Sequence, residues 1–181
     1  ESADIPYIGD VDQDGDIDII KFDGTYNSYS LFKDVSAEKG LTDTFEFQDM
    51  EYCFGYFYED NFGDVVFDSC GYTERLQPRH SSGASSLAYD ADSDGDMDLL
   101  VSSGVFNYLT FLGNAKANEN ASYDSMFFYD TLFPRESVRA NQLFFPSLNG
   151  LDYNEGGIID IGLAPTFFDS RQSQNKLFLY G

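Results

Sequence analysis

Two copies of one acidic stretch decide the fold of this chain: Asp10-Val11-Asp12-Gln13-Asp14-Gly15-Asp16-Ile17-Asp18 and Asp90-Ala91-Asp92-Ser93-Asp94-Gly95-Asp96-Met97-Asp98. In a strand, the five carboxylates of each copy would lie on one face and repel one another, because no Lys or Arg is interleaved. The repulsion is relieved if the backbone curls and the carboxylates converge on a divalent cation. A solvated acidic turn is the alternative, against which the identical register of the two copies argues.

The oxygen donors of these stretches favour calcium. Calcium accepts about six to eight oxygens in flexible geometry, whereas magnesium requires a stricter octahedron. Gly15 and Gly95 occupy the sixth position, where a sharp turn favours a residue without Cβ. We therefore predict calcium-binding loops at residues 10–18 and 90–98.

The same nonapeptide opens an EF-hand, but the rest of that motif is missing. An EF-hand requires a bidentate Glu at position twelve and a helix on either side. Position twelve is Lys21 in the first copy and Val101 in the second. The flanks are short apolar runs bounded by turn residues, which is typical of strands. Each loop is therefore predicted to connect two strands.

A strand, a D-x-D-x-D-G-x-x-D loop and a second apolar strand resemble the repeats of FG-GAP and VCBS type β-propellers. The resemblance implies a calcium ion bound by side chains one, three, five and nine and by the main-chain carbonyl of position seven. On this chain the implied side-chain ligands are Asp10, Asp12, Asp14, Asp18, Asp90, Asp92, Asp94 and Asp98. Asp16 and Asp96 would contribute only carbonyl oxygens, and their carboxylates would point at solvent or at groups around the site.

A third, eroded copy of the loop occupies residues 152–160. It keeps Asp152, Asn154 and Asp160 and places Ile158 at the carbonyl position, but Gly156 stands where the fifth-position carboxylate should be. The sequence leaves calcium binding open at this third loop.

The spacing of the three loops predicts an all-β chain. Their first aspartates, Asp10, Asp90 and Asp152, are 80 and 62 residues apart, and such periods built of strands are typical of propeller blades with insertions. We predict a partial β-propeller of about three four-stranded antiparallel blades. The units lie at about 4–70, 85–122 and 143–181. Because propellers close with roughly four to eight blades, the chain is expected to be a fragment completed by the rest of its polypeptide.

Turn residues between short apolar runs predict the individual elements. Strands are expected at residues 17–22, 29–33, 86–89, 98–102, 108–112 and 176–180. A helical turn is expected at residues 34–40 and a hairpin turn near residues 61–63. Residues 115–122 are expected to form a polar connection, with a long connection following through Pro134.

The only two cysteines, Cys53 and Cys70, match no zinc spacing and no C-x-x-C redox motif. Loops of this kind suit the millimolar calcium found outside cells, which points to an oxidising compartment. We predict a disulfide between Cys53 and Cys70, with two buried free thiols as the alternative.

The charge of the chain excludes several partners. A formal net charge of −22 provides no basic face for nucleic acid or for an anionic membrane surface. No apolar run approaches the length of a transmembrane helix, so direct insertion into a membrane is not expected.

The order of features over nearly the whole chain extends the resemblance. An Asp-rich unit, the run 53–59, Cys70, the run 79–83, a second Asp-rich unit and an eroded third resemble the VCBS-type propeller region of large secreted Bacteroidetes surface proteins. Such proteins are exported by type IX secretion. The resemblance implies a secreted, cell-surface protein with calcium as its cofactor.

No catalytic constellation is predicted. His80 is the only histidine and is expected to be structural, and the clustered acids are explained as calcium ligands rather than glycosidase carboxylates. The aromatic run 123–133 favours packing between blades over stacking on sugar rings. Ser125 and Thr131 resemble Bacteroidetes O-glycosylation sites, and Asn120 opens an N-glycosylation sequon.

Two classes of function follow. The first is a binding or adhesion module, or a scaffold, that presents loops to a protein or glycan at the cell surface. The second is an accessory propeller domain of an extracellular polysaccharide-degrading enzyme whose catalytic residues lie elsewhere. The sequence does not name the ligand, because function depends on the site and not on the fold.

Overall fold

The computed structural model describes residues 4–24, 26–48, 51–60, 62–71, 84–104, 106–116, 123–135, 146–165 and 178–180. Over these ranges the regular elements are thirteen strands and one 3₁₀ turn. The strands form four antiparallel sheets, and none of the sheets closes on itself. The described part of the chain is therefore all-β, as the sequence predicts.

The first sheet is a meander of four strands around the first acidic loop. It consists of β1 (Tyr7–Gly9), β2 (Asp18–Asp23), β3 (Ser28–Phe32) and β4 (Glu51–Tyr52), hydrogen-bonded in that order. A 3₁₀ turn (Phe54–Tyr56) then leads into a hairpin of β5 (Phe57–Glu59) and β6 (Val65–Phe67), which confirms the predicted turn near residues 61–63.

The second sheet repeats the first. Its strands are β7 (Ala84–Tyr89), β8 (Asp98–Ser103), β9 (Leu109–Asn114) and β10 (Met126–Asp130), again in chain order across the sheet. Ile19 pairs with Phe32 in the first sheet, and Leu99 pairs with Leu112 in the second. Both partners are displaced by 80 residues, so the sequence period is also a period of strand register.

The third sheet contains β11 (Pro146–Leu151), β12 (Asp160–Pro165) and β13 (Phe178–Tyr180). Its β11 and β12 flank the eroded loop, just as β1 and β2 flank the first loop. Three strands of this unit are described, against the four that the sequence predicts.

The second sheet lies between the other two, and its strand β8 is apolar on both faces. Side chains of a strand alternate between faces. Leu99 and Val101 accordingly pack in one cluster with Ile20 of the first sheet, whereas Leu100 packs in another with Leu148 of the third. A strand covered on both sides has a continuous apolar run in place of an alternating one. The run Leu99-Leu100-Val101 is therefore explained by three stacked layers.

The first strands of successive sheets are neighbours. The Ile5 N–H donates to the Ala84 carbonyl at 2.8 Å, in a parallel bridge that joins the residues before β1 to β7. The Ser85 hydroxyl of β7 in turn accepts the N–H of Leu148 on β11 at 3.0 Å. These hydrogen bonds place the three acidic loops, which follow β1, β7 and β11, at the same end of the stack.

The long connection predicted through Pro134 is wrong. Residues Met126–Asp130 form β10 and pair with β9 as the fourth strand of the second sheet. Met126 is only 1% exposed because it packs in the core between the first two sheets. Because polar residues precede this strand, the sequence pattern does not predict it, and its pairing with β9 determines its structure.

The helical turn predicted at residues 34–40 is confirmed by the Lys39 N–H, which donates to the Val35 carbonyl at 3.3 Å.

Glu59, on β5, is a buried carboxyl group that faces the side chains of Tyr29 and Tyr108. It is 7% exposed, and burial, followed by the charge of Asp60, raises its pKa from 4.5 to about 7. The tyrosines titrate far above this range, and the pKa of each is itself raised by burial and by the charge of Glu59.

Glu59→Gln is expected to stabilise the protein at pH 8 and to have little effect at pH 4.5. Because the folded-state pKa is raised, the contribution of Glu59 is complete below about 4.5 and is lost as pH rises through about 7. The variant should gain about 3 kcal/mol over the wild type at pH 8. Urea unfolding at both pH values measures this difference. Glu46→Gln, at an exposed position, is the control, and equal effects of both variants would contradict the prediction.

Candidate metal centre

The three acidic loops share one pattern of hydrogen bonds. The first aspartate accepts the N–H groups of positions five and six, at distances of 3.1 Å in both cases for Asp10 and Asp90. Asp152 does the same at 2.8 and 2.7 Å. Position nine accepts the N–H of position two at 2.9 to 3.0 Å in each loop. The predicted curl of the backbone is therefore present in all three copies.

Two positions of each loop adopt left-handed backbone conformations. At position six, Gly15, Gly95 and Gly157 have φ values of +97°, +94° and +81°, which only glycine adopts readily. At position four, Gln13 and Ser93 have φ values of +62° and +63°. The glycine is therefore needed for its conformation, as the position of a sharp turn predicts.

Curling brings the carboxylates together. Oxygens of Asp10, Asp12 and Asp18 lie within 4.8 Å of one another, as do those of Asp90, Asp92 and Asp94. All are hard anionic donors of the kind that bind divalent cations such as Ca²⁺ or Mg²⁺. Each of these first two loops therefore presents a group of acidic oxygens that could hold a metal ion.

The third loop offers a weaker donor set. Asp152, Asn154 and Asp160 supply two carboxylates and one amide, and Gly156 adds no side chain at position five. The side chain of Ile158, at position seven, is 74% exposed. The backbone of this loop is thus kept although much of its negative charge is lost.

The first loop contains a buried carboxylate oxygen that lacks a donor. Asp12 Oδ1 is inaccessible to solvent and accepts no hydrogen bond from the described residues, an arrangement that is costly unless a cation satisfies it. The Lys33 ammonium contacts the other oxygen of Asp12 and lies 3.6 Å from Asp14 Oδ2. The hydrogen bond to Asp12 is the main cause that raises the pKa of Lys33. The carboxylates of the first loop therefore bind one positive charge of the protein itself, the Lys33 ammonium.

Lys33 and Glu38 are site residues that the sequence does not reveal. Glu38 joins Asp14 and Asp16 in a second acidic group whose oxygens lie within 4.8 Å, and its Oε1 is 3.2 Å from Lys33 Nζ. Lys33 directly follows β3 and Glu38 lies in the turn after it, so both are outside the motif. In the second sheet the position equivalent to Lys33 is Gly113, which has no side chain.

The seventh-position aspartates do not face solvent. Asp16 Oδ2 accepts the N–H of Ala37 and, at 3.3 Å, the hydroxyl of Ser36. Asp96 is only 6% exposed. These carboxylates are expected to point at solvent or at groups around the site, and the structure shows the second orientation. The Asp16 carboxylate thereby connects the loop to the turn after β3.

The ninth-position aspartates are the most buried members of the loops. Asp18 is 0% and Asp98 is 3% exposed, and burial raises the pKa of both, that of Asp98 to about 6. Besides the N–H of position two, each accepts one N–H from a residue at the end of the third strand of its sheet or two residues after it. That donor is Asp34 for Asp18 and Asn114 for Asp98, both at 2.9 Å. The ninth aspartate therefore connects the loop to the sheet.

Asp34 and Asn114 form a second repeated pair, which the motif does not include. The Oδ1 atom of each accepts the N–H of the residue two positions later, at 3.0 Å for Asp34 and 3.2 Å for Asn114. Each also accepts an N–H from the segment leading to the fourth strand, that of Glu46 or Ser125. The spacing of 16 residues from the ninth aspartate is the signal by which the pair could have been found.

The Cys53–Cys70 disulfide is confirmed, with the two Cα atoms 5.6 Å apart. It connects the residue before the 3₁₀ turn to the segment after β6, and thereby fastens the hairpin to the first sheet.

The remaining sequence candidates have mixed outcomes. Phe127 and Phe128 of the aromatic run are 57% and 42% exposed, whereas Met126 between the sheets is buried. Ser125 and Thr131 are partly buried, and their glycosylation stays a prediction. His80, the run 79–83 and the sequon at Asn120 lie outside the described residues.

Searches of protein-family models, curated proteins and solved structures find no match to this chain. Among the residues that the structure describes, no helix has the length and apolar character needed to cross a bilayer.

Proposed function

We propose that this chain is a calcium-stabilised part of a β-propeller that serves as a binding or adhesion scaffold at the cell surface. The observation that carries the calcium proposal is the convergence of carboxylates in two loops that have the same backbone conformation. In the first of these loops, the buried Asp12 Oδ1 lacks a hydrogen-bond donor among the described residues. A calcium ion would neutralise charges that otherwise repel one another across each loop.

The stacking of the sheets supports the propeller. Two four-stranded antiparallel meanders and a three-stranded third sheet pack face to face, and their first strands are adjacent. Propeller blades are sheets of this kind, arranged around a channel lined by one edge of each. Three units leave the arc open, and further blades of the same polypeptide would complete it.

The disulfide and the acidic loops support an extracellular role. Disulfides persist in oxidising compartments, and loops of this kind suit the calcium concentrations outside cells. The ligand proposed for the assembled surface is a protein or a glycan. Within this chain, Asp10, Asp12, Asp14 and Asp18 would hold the first ion, and Asp90, Asp92, Asp94 and Asp98 the second.

Calcium is expected to raise the stability of the wild type, and Asp12→Ala is expected to remove the part due to the first loop. At a calcium concentration 100 times Kd, each site should add about 2.7 kcal/mol. Asp12 makes no hydrogen bond to the backbone of the described residues, so its replacement should weaken calcium binding about tenfold or more and change the apo protein little. Calorimetric titration, and thermal unfolding with and without chelator, measure both effects.

Asp64→Ala, on the hairpin between β5 and β6, is the matched control because it removes the same charge away from the loops. Lys33→Met should act in the opposite direction and tighten the first site about two- to fivefold, since it removes a competing cation. A wild-type midpoint that the chelator leaves unmoved would refute the calcium proposal. Equal titrations of Asp12→Ala and Asp64→Ala would refute the assignment of the ligands.

A further inference from the structure

A cleft of about 400 Å³ lies beside the disulfide, away from the acidic loops. Its walls come from the end of the first sheet, from the 3₁₀ turn and from the segment before β10. Three tyrosines line it, Tyr52, Tyr56 and Tyr123, and they are 54%, 43% and 57% exposed. Tyrosines that leave this much surface uncovered contribute little to the core, so their rings are available to a ligand.

The rings of two of these tyrosines, Tyr56 and Tyr123, meet at an angle. The centroids of Tyr56 and Tyr123 are 6.3 Å apart, with an angle of 67° between the ring planes. A sugar ring stacks best on a flat platform, whereas angled rings surround a compact group with several π faces. Such faces attract a cation that lies within about 6 Å of the ring centre.

The wall formed by the 3₁₀ turn has a strained backbone and is cross-linked by the disulfide. Cys53 and Tyr56 adopt φ values of +77° and +53°, which residues with a side chain rarely adopt. The disulfide to Cys70 anchors this wall, and a Cβ at Gly55 would come within 2.8 Å of Met126 on β10. Strain of this kind persists where the surrounding structure imposes it, and it concentrates at ligand-binding sites. The tyrosines are therefore presented on a preorganised support.

The cleft has an excess of negative charge. Asp124 is held in place by the Lys116 ammonium at 3.1 Å and by the Asn114 amide at 2.7 Å. Glu51 also lines the cleft, and burial, followed by the charge of Asp124, raises the pKa of its carboxyl, which Lys116 lowers only in part. One lysine thus faces two carboxylates, and one additional positive charge would neutralise the net charge of the cleft.

We propose that this cleft binds an alkylammonium group, held between the rings of Tyr52, Tyr56 and Tyr123 and paired with Glu51. Angled aromatic rings together with a carboxylate are the combination that recognises quaternary ammonium ligands. A neutral sugar would use neither the angle nor the charge. The site does not depend on calcium in the loops, and it extends the proposed binding role to a ligand of defined chemistry.

The test is an NMR titration of the whole chain, labelled in its tyrosine rings, with choline and with its neutral isostere 3,3-dimethyl-1-butanol. Choline should shift the cleft tyrosines and bind about three- to tenfold more tightly than the isostere. Tyr123→Leu and Glu51→Gln should each weaken choline binding by a similar factor. Tyr153→Leu, which replaces a tyrosine that is 70% exposed on the third loop, should leave it unchanged.

Equal affinity for choline and the isostere would overturn the proposal. Choline binding that Glu51→Gln leaves unchanged would also overturn it, and this variant preserves the shape of the cleft. Binding of a neutral oligosaccharide at these tyrosines without choline binding would assign the cleft to glycans instead.

Discussion

Replacing Asp98 with alanine is expected to lower the free energy of unfolding by about 3–5 kcal/mol, even with chelator present. Its Oδ1 accepts the N–H of Asn114 at 2.9 Å, and its Oδ2 accepts the N–H of Ala91 at 3.0 Å. Asp98 is 3% exposed, so water cannot readily replace the lost acceptors, and both N–H groups would remain unsatisfied. Urea unfolding in the presence of chelator isolates this effect from any bound ion.

Asp92→Ala is the matched control in the same loop. Asp92 is exposed and, within the described parts of the chain, accepts a single N–H, that of Asp94 at 3.2 Å, so its loss should cost less than about 1 kcal/mol in the apo protein. Asp98→Asn, which keeps one acceptor oxygen, should fall between the two. If Asp92→Ala and Asp98→Ala destabilise the apo protein equally, the connecting role of the ninth aspartate is wrong.

Opening the Cys53–Cys70 disulfide is expected to lower the free energy of unfolding by about 3 kcal/mol. The two residues are 17 apart in sequence, and the cross-link restricts the unfolded chain over that loop. The reduced protein should therefore unfold at a lower urea concentration and lose the ordered support of Tyr56. Urea unfolding with and without reductant measures the change, and thiol counting establishes that the bond is open.

The double variant Cys53→Ser/Cys70→Ser should match the reduced wild type and should not respond to reductant. A wild type that keeps its urea midpoint after complete reduction would show that the cross-link does not contribute to stability. A response of the double variant to reductant would show that the reductant acts elsewhere.

The loops and the strands beside them could be predicted from the sequence because their determinants are local. Asp10 bonds to N–H groups four and five residues later, and Gly15 meets a conformational requirement of its own backbone. The alternation of apolar and turn residues likewise predicts β2, β3, β8 and β9 from a few neighbouring residues each. The disulfide could be predicted because the chain contains only two cysteines.

The surroundings of the sites were decided by tertiary structure. Lys33 and Glu38 reach the first loop because antiparallel pairing of β2 with β3 returns the chain to it. Strand β10 exists because it pairs with β9 and buries Met126 between two sheets. The tyrosine cleft joins residues 51–56 to residues 123–124, which are about 70 positions apart. A local pattern specifies what the nearby backbone can bond, but the approach of distant side chains depends on how the sheets stack.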